Sequence, residues 1–433
     1  MKKTSSLHRD AIWSFGTTVL DRGGVLLLTV IIAQFLGANA LGVFGLISVT
    51  VMTVINPFAY ALTTAGTRRV AETYEHQPSQ AISIIIIIVA ICILLSFIFG
   101  MFFLITPDFI ATNILNRADL STVLVFGSVL VVGELLRKVG LGIFHGLKAF
   151  KEAFLSAIWF FVTISFAIFF VEDFGIKGVL ILNGVAGVVF FIFGLYLVSR
   201  RYLIQKANNF KFSYLGNDNN LFLPILLPAF LASLVPGVIV WYMQVLLVQH
   251  GDTIQLGFFS AANQIRMMIV FFPVILSSIL IPRMVKKVGQ IGGDSSDVSY
   301  LIISLVGSAV IVIILGLVLS VLSPWIVHIY GKEFLDQTSL FNTMIWVGCF
   351  NGINQSLGSI IIASGSVWVG FISNSLWAAL MASIFIFFGD KSLAISMADA
   401  MLYSYIMITI FQIIYVIRMS PELINYLKLK LYL

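Results

Sequence analysis

Apolar runs of about 18 or more residues recur along the whole chain, each long enough to cross the ~30 Å hydrocarbon core of a bilayer as a helix. The expected spans are 12–36, 40–65, 81–105, 121–146, 154–171, 179–199, 221–249, 256–281, 300–323, 340–363, 366–388 and 396–417. They are too long for strands and lack the ten-residue alternation of an outer-membrane barrel. The pattern predicts an all-α polytopic membrane protein of about twelve transmembrane helices.

No segment between spans is long enough to fold alone. The longest, about 200–220, is polar and Asn-rich, and it divides the chain into an N-terminal six-helix lobe (1–205), a cytoplasmic linker (206–220) and a C-terminal six-helix lobe (221–433). With the N-terminus inside, one set of loops carries Lys2, Lys3, Arg9, Arg68, Arg69, Lys148, Lys151, Arg200, Arg201, Lys206, Lys211, Arg283, Lys286, Lys287, Arg418, Lys428 and Lys430. The other set carries only Arg117, Lys177, Lys332 and Lys391. That bias predicts both termini in the cytoplasm. It also explains the net charge of +6 as a topology signal, so no nucleic-acid partner is implied. Lys2 and Lys3 precede an apolar stretch too long for a signal peptide and without a small-residue cleavage site, so it is expected to remain as the first helix.

An offset of 215 residues superposes Leu41-Gly42-Val43-Phe44-Gly45 on Leu256-Gly257-Phe258-Phe259-Ser260 and carries Arg68 onto Arg283. A similar offset sets Gly146 against Ala363. These matches argue for duplication. Each half holds an even number of helices, so both enter from the same side and the repeats are parallel, with a binding site expected between them.

Only 10% of residues are charged, yet four cations fall inside expected spans: Arg22, Arg137, Lys138 and Arg266. A charge at mid-membrane depth costs about 2.5–3.5 kcal/mol, so it faces a protein-lined or watery interior. Guanidinium binds phosphate oxygens in a bidentate manner, which suits a large anionic ligand. Arg22 follows Asp21, whose side chain points about 100° away. Asp21 is a candidate for charge balance or ion coupling. Glu134, Arg137 and Lys138 occupy i, i+3 and i+4 on one face, so Glu134 can neutralise one of the two cations. The alternative for Arg137 and Lys138 is snorkelling to the cytoplasmic interface; for Arg22 and Arg266 it is pairing on a neighbouring helix. Asn263 lies one turn before Arg266, and no acidic residue occurs in that span.

The second half otherwise offers amides and an aromatic: Asn351, Asn354 and Gln355 on one span, Asn374 and Trp377 on the next. These suit sugar hydroxyls and ring faces, and serve equally as interhelical glue. Pro224, Pro228 and Pro236-Gly237 interrupt the seventh span, and the 215-residue offset sets Pro236-Gly237 opposite Asp21-Arg22. A bend is expected there, and bending helices in corresponding halves suit alternating access.

Other chemistry is poorly represented. Cys92 and Cys349 lie inside spans and suggest neither a disulfide nor a metal. The five histidines lack ligand spacing. Gly140-Leu141-Gly142 and Gly146 sit within a helix, where they suit close packing and not a dinucleotide loop. No Walker loop is present, so no nucleotide cofactor is called for.

The patterns Leu41-Gly42…Phe44-Gly45 running to Gly66-Thr67-Arg68-Arg69-Val70-Ala71-Glu72, Gly142-Ile143-Phe144-His145-Gly146-Leu147-Lys148, and Leu256-Gly257-Phe258-Phe259-Ser260-Ala261-Ala262-Asn263-Gln264 resemble the oligosaccharide flippase (polysaccharide transporter) family of the MATE-like superfamily. The resemblance implies two six-helix lobes in a V around a central cavity, in a bacterial inner membrane. It implies a non-enzymatic flippase that moves undecaprenyl-diphosphate-linked oligosaccharide, such as an O-antigen unit of lipopolysaccharide, to the periplasmic leaflet. A polysaccharide polymerase and a chain-length regulator are its expected partners. Two alternatives stay open. A MATE-type cation or drug antiporter needs cavity carboxylates, which the cations outnumber here. A membrane polymerase or glycosyltransferase needs a substantial extramembrane loop, and loops such as Glu172-Asp173-Phe174-Gly175 are short.

Overall fold

The structure is a computed structural model that describes residues 2–74, 76–203, 219–288, 295–363, 367–390 and 392–419. Among these there is no strand. The long helices are α1 (Lys2–Tyr74), α2 (Pro78–Ile105), α3 (Gly127–Gly146), α4 (Phe150–Ser165), α5 (Ala167–Val198), α6 (Asn219–Val288), α7 (Ser295–Tyr330), α8 (Thr338–Ala363), α9 (Val367–Phe388) and α10 (Ala394–Met419).

Three of them contain a residue that leaves helical geometry: Gly37 in α1 (φ 82°, ψ 178°), Gly175 in α5 (φ 55°, ψ −148°) and Asp252 in α6 (φ 72°, ψ 166°). Each positive φ falls between two expected spans. Cut there, the described residues form helical segments 2–36, 38–74, 78–105, 118–146, 150–174, 176–198, 219–251, 253–288, 295–330, 338–363, 367–388 and 394–419, one for each expected span. By length and composition, seven helices among the described residues can cross a membrane, or eight if the bent pair Ala118–Leu124 and Gly127–Gly146 is one span. Three of the seven run through one of the breaks, and α8 is not among those that pass, so the figure falls below the number of segments.

Two expected spans need correction: 154–171 is parted at Phe166, where α4 ends and α5 begins. The stretch 121–146 is not a single straight helix, because the chain bends by 50° between Leu124 and Gly127. Helical dihedrals continue through Pro236-Gly237, and the non-helical residue of α6 is Asp252. The side chains of Pro224 and Pro228 lie outside the described residues.

The breaks carry the duplication into the backbone. Gly37 and Asp252 stand 215 positions apart, as do Asn116 (φ 53°) and Gly331 (φ 109°). Gly175 and Asp390 do so again, Asp390 opening the turn between α9 and α10. L-residues other than Asn and Asp rarely take the left-handed conformation. At Asp252 the side chain compensates: Oδ1 accepts from the Thr253 amide at 2.6 Å and from its hydroxyl at 3.0 Å.

The chain forms two compact units, Met1–Trp241 and Tyr242–Leu433. The expected linker 206–220 lies almost wholly outside the described residues. In the first unit Leu28, Ile32, Leu41, Phe103, Phe144, Phe160 and Phe190 are fully buried; in the second, Phe259, Tyr330, Phe334, Phe341 and Phe385. The opposite faces stay apolar and exposed, as on α2 at Ile93, Leu94, Phe97 and Ile105, which is the surface a lipid-facing helix presents.

Glycines set the closest approaches in the first unit. A Cβ on Gly133 would fall 2.0 Å from the Gly184 carbonyl oxygen, and one on Gly142 would fall 2.9 Å from the Thr63 Cα. The Thr63 and Thr67 hydroxyls donate to the carbonyls of Lys138 (3.1 Å) and Gly142 (2.9 Å), which fixes the second limb of α1 against α3. These contacts position the charged residues described next.

Candidate functional site

In the first unit, Asp21 on the first limb of α1 meets Glu134, Arg137 and Lys138 on α3. The i, i+3 spacing lets the Arg137 Nη2 donate to Glu134 Oε2 at 2.6 Å, and its Nη1 donates to Asp21 Oδ1. The guanidinium lies 4.9 Å over the Phe160 ring, and its Nε has no hydrogen-bond partner among the described residues. Arg137 is only 7% exposed and Glu134 3%. Arg137 therefore does not snorkel. It is a buried cation held between two carboxylates, one from each helix, and losing one partner of such a pair costs about 3–5 kcal/mol.

Lys138 is also held inward. Its Nζ donates to Asn56 Oδ1 at 2.6 Å and lies 3.2 Å from Met52 Sδ, both on the second limb of α1. Arg22 differs from both. It is exposed, it has no hydrogen-bond or ion-pair partner among the described residues, and it is within electrostatic reach of Lys138. Three cations against two carboxylates leave this cluster with a formal charge of +1. Because Arg137 occupies both carboxylates, the excess falls on Arg22 and Lys138.

In the second unit Arg266 is 8% exposed; its Nε donates to Asn263 Oδ1 at 2.7 Å, one helical turn earlier, and the side chain lies beside Tyr405 of α10. Trp377 of α9 stacks on Tyr405, with ring centroids 4.8 Å apart and planes at 31°. Asn354 of α8 donates to the Thr409 hydroxyl and to the Phe350 carbonyl at 2.9 Å, and is 3.4 Å from the Tyr405 carbonyl. Trp377 Nε1, Asn354 Oδ1 and Gln412 Oε1 are buried without a partner among the described residues.

The structure thus brings Asp21, Glu134, Arg137, Lys138 and Arg22 together, and separately brings Asn263, Arg266, Asn354 and Trp377 around Tyr405. It splits two expected groupings. On α8, Asn351 and Asn354 are buried while Gln355 is exposed; on α9, Trp377 is buried while Asn374 is exposed. The cause is helix phase: α10 packs against the sector that holds Asn354, and Gln355 and Asn374 lie outside the buried sectors. Pro236 and Gly237 are half-buried, with open space around the Gly237 Cα. Asn56 and Tyr405 escaped the sequence reading. Asn56 had a signal, a polar side chain beside Pro57 in an otherwise apolar span; Tyr405 had none.

No protein-family model matches the sequence, and no curated protein sequence matches it either. Solved structures do match. The chain superposes on an inward-facing multidrug resistance MATE family transporter of the MOP superfamily with a TM-score of 0.75 at 13% identity, covering 93% of this chain and 95% of that one. It matches the lipid II flippase MurJ in an inward closed conformation with a TM-score of 0.69 at 16% identity, covering 94% and 87%. A third match is a MOP superfamily transporter from Pyrococcus furiosus described as having a binding pocket of reverse polarity: TM-score 0.67, 13% identity, 95% of each chain. At these identities the likeness is one of fold. The chain is an all-α polytopic membrane protein with the MATE fold.

Proposed function

We propose that this protein is a non-enzymatic flippase that carries an undecaprenyl-diphosphate-linked oligosaccharide, such as an O-antigen or other surface polysaccharide unit, across the bacterial inner membrane. One observation carries the reading: Arg22 is exposed within a span beside Lys138 and has no partner among the described residues, while Arg137 occupies the carboxylates that would otherwise neutralise them. Arg22 and Lys138 take the diphosphate, and Arg266 of the second unit is a further candidate cation. Asn263, Asn351, Gln355 and Asn374 are left to the sugar. The lobes 1–205 and 221–433, joined through 206–220, alternate in access, with flexure at Pro236-Gly237. Delivery to a polysaccharide polymerase and its chain-length regulator follows on the periplasmic side.

The same observation disfavours a cation or drug antiporter. Such a substrate needs available carboxylates, and Asp21 and Glu134 are both bonded to Arg137.

The test is chemical. Deleting the gene should accumulate a prenyl-diphosphate oligosaccharide in lipid extracts analysed by mass spectrometry, and complementation with Arg22→Gln should leave that intermediate in place although the variant reaches the membrane. Unchanged lipid-linked intermediates in the deletion strain would reject the reading.

A further inference from the structure

Arg22 stands at the end of an exposed apolar stripe. Ile12, Phe15 and Val19 are 67%, 43% and 43% exposed, and Arg22 continues the same face. At about 100° per residue the four side chains fall within about 80° of arc, one continuous strip of helix surface. Arg22 is about 20 Å of helix from Arg9 and about 22 Å from the break at Gly37, which places it near mid-span.

Among residues whose side chains are described, Arg22 is the exposed cation in the interior of a span; Arg137 and Arg266 are buried. A guanidinium facing hydrocarbon at that depth is expensive. A polar cavity alone would relieve the charge, but it would leave three large apolar side chains leading to the cation in the wrong solvent. Hydrocarbon alone satisfies those side chains and strands the charge. An amphiphile with an anionic head and an apolar chain satisfies both at once.

We propose that the Ile12–Phe15–Val19–Arg22 face is a docking track for such an amphiphile, its phosphate on Arg22 and the first part of its chain along Val19, Phe15 and Ile12. The inference rests on the flippase reading and extends it from the head group to the chain. Arg22 to Ile12 spans about 15 Å of helix, so the track guides only the chain segment next to the phosphate. Lys138, held by Asn56, keeps the head-group end electropositive. The exposed apolar face of α2 around Phe97 has no such cation and serves as bulk lipid surface.

Photo-cross-linking of the full-length protein in nanodiscs tests this. A benzophenone amino acid is placed at Phe15, or at Phe97 as control, with geranylgeranyl diphosphate and geranylgeraniol as probes. Labelling at Phe15 should favour the diphosphate several-fold over the alcohol, with no preference at Phe97. Arg22→Gln should reduce the Phe15 signal to the level of the alcohol, and Arg22→Lys should retain it. Equal labelling by both probes at Phe15, or labelling unaffected by Arg22→Gln, overturns the track. Native mass spectrometry of the same samples separates the two claims. Diphosphate binding that depends on Arg22 without preferential labelling at Phe15 overturns the track and leaves the flippase reading standing. Diphosphate binding that is absent or indifferent to Arg22 overturns both.

Discussion

At the scale of single residues, Arg22 of α1 and Arg137 of α3 have opposite surroundings. Arg137 is buried against Asp21, Glu134 and Phe160, so Arg137→Met should strand two carboxylates and lower stability by about 3–5 kcal/mol, read as a loss of folded protein on heating in detergent. Arg22 touches no partner among the described residues. Arg22→Gln should change stability by no more than about 0.5 kcal/mol and, under the proposed flippase function, abolish export of the surface polysaccharide. A variant of Arg22 that is as unstable as Arg137→Met would remove the distinction. The i, i+3, i+4 face of Glu134, Arg137 and Lys138 was legible in the sequence because helical spacing is local. Its partners, Asp21 and Asn56, were not, since both pairs close between helices whose relative phase no local pattern encodes. The same limit explains why Tyr405, an aromatic in an apolar span, gave no sign of its place beside Arg266 and Trp377.

At the scale of elements, the helix count was readable because length and apolarity decide it, whereas the breaks depend on single dihedrals. Glycine at 37 and 175 takes a positive φ at little cost, but Asp252 must be held there by its own side chain. Asp252→Val combines a β-branched residue with a left-handed backbone and removes both Oδ1 contacts, so it should destabilise by about 1–2 kcal/mol or more. Asp252→Gly should restore most of that loss, because glycine needs no help at φ 72°. Comparing the two by chemical unfolding isolates the dihedral. Similar losses for both would place the effect in the hydrogen bonds instead. Close packing makes a further demand at Gly184, where a Cβ would lie 2.4 Å from the Val129 carbonyl oxygen; Gly184→Leu must push α5 from α3 and should abolish accumulation of folded protein.

At the scale of the whole molecule, the two halves share turning positions but not chemistry. Turning residues recur at 37 and 252, 116 and 331, and 175 and 390, yet the positions 215 residues beyond Arg137 and Lys138 hold Gly352 and Ile353. The turning positions recur at one offset, and among the described residues the charged cluster belongs to the first half. If the halves are parallel, equivalent turns must emerge on one side of the membrane. Asp119 and Lys332 are both exposed and follow the paired turns at Asn116 and Gly331, so cysteines placed there should react with a membrane-impermeant maleimide from the periplasm. Cysteines at Arg68 and Lys151, exposed in the basic loops, should react only after the membrane is permeabilised. Both native thiols, Cys92 and Cys349, are buried, so background labelling should be low without removing them. Opposite-side labelling of Asp119→Cys and Lys332→Cys would mean inverted repeats. The loop charges would then no longer assign a cytoplasmic entry side, and the direction proposed for the lipid-linked substrate would lose its basis.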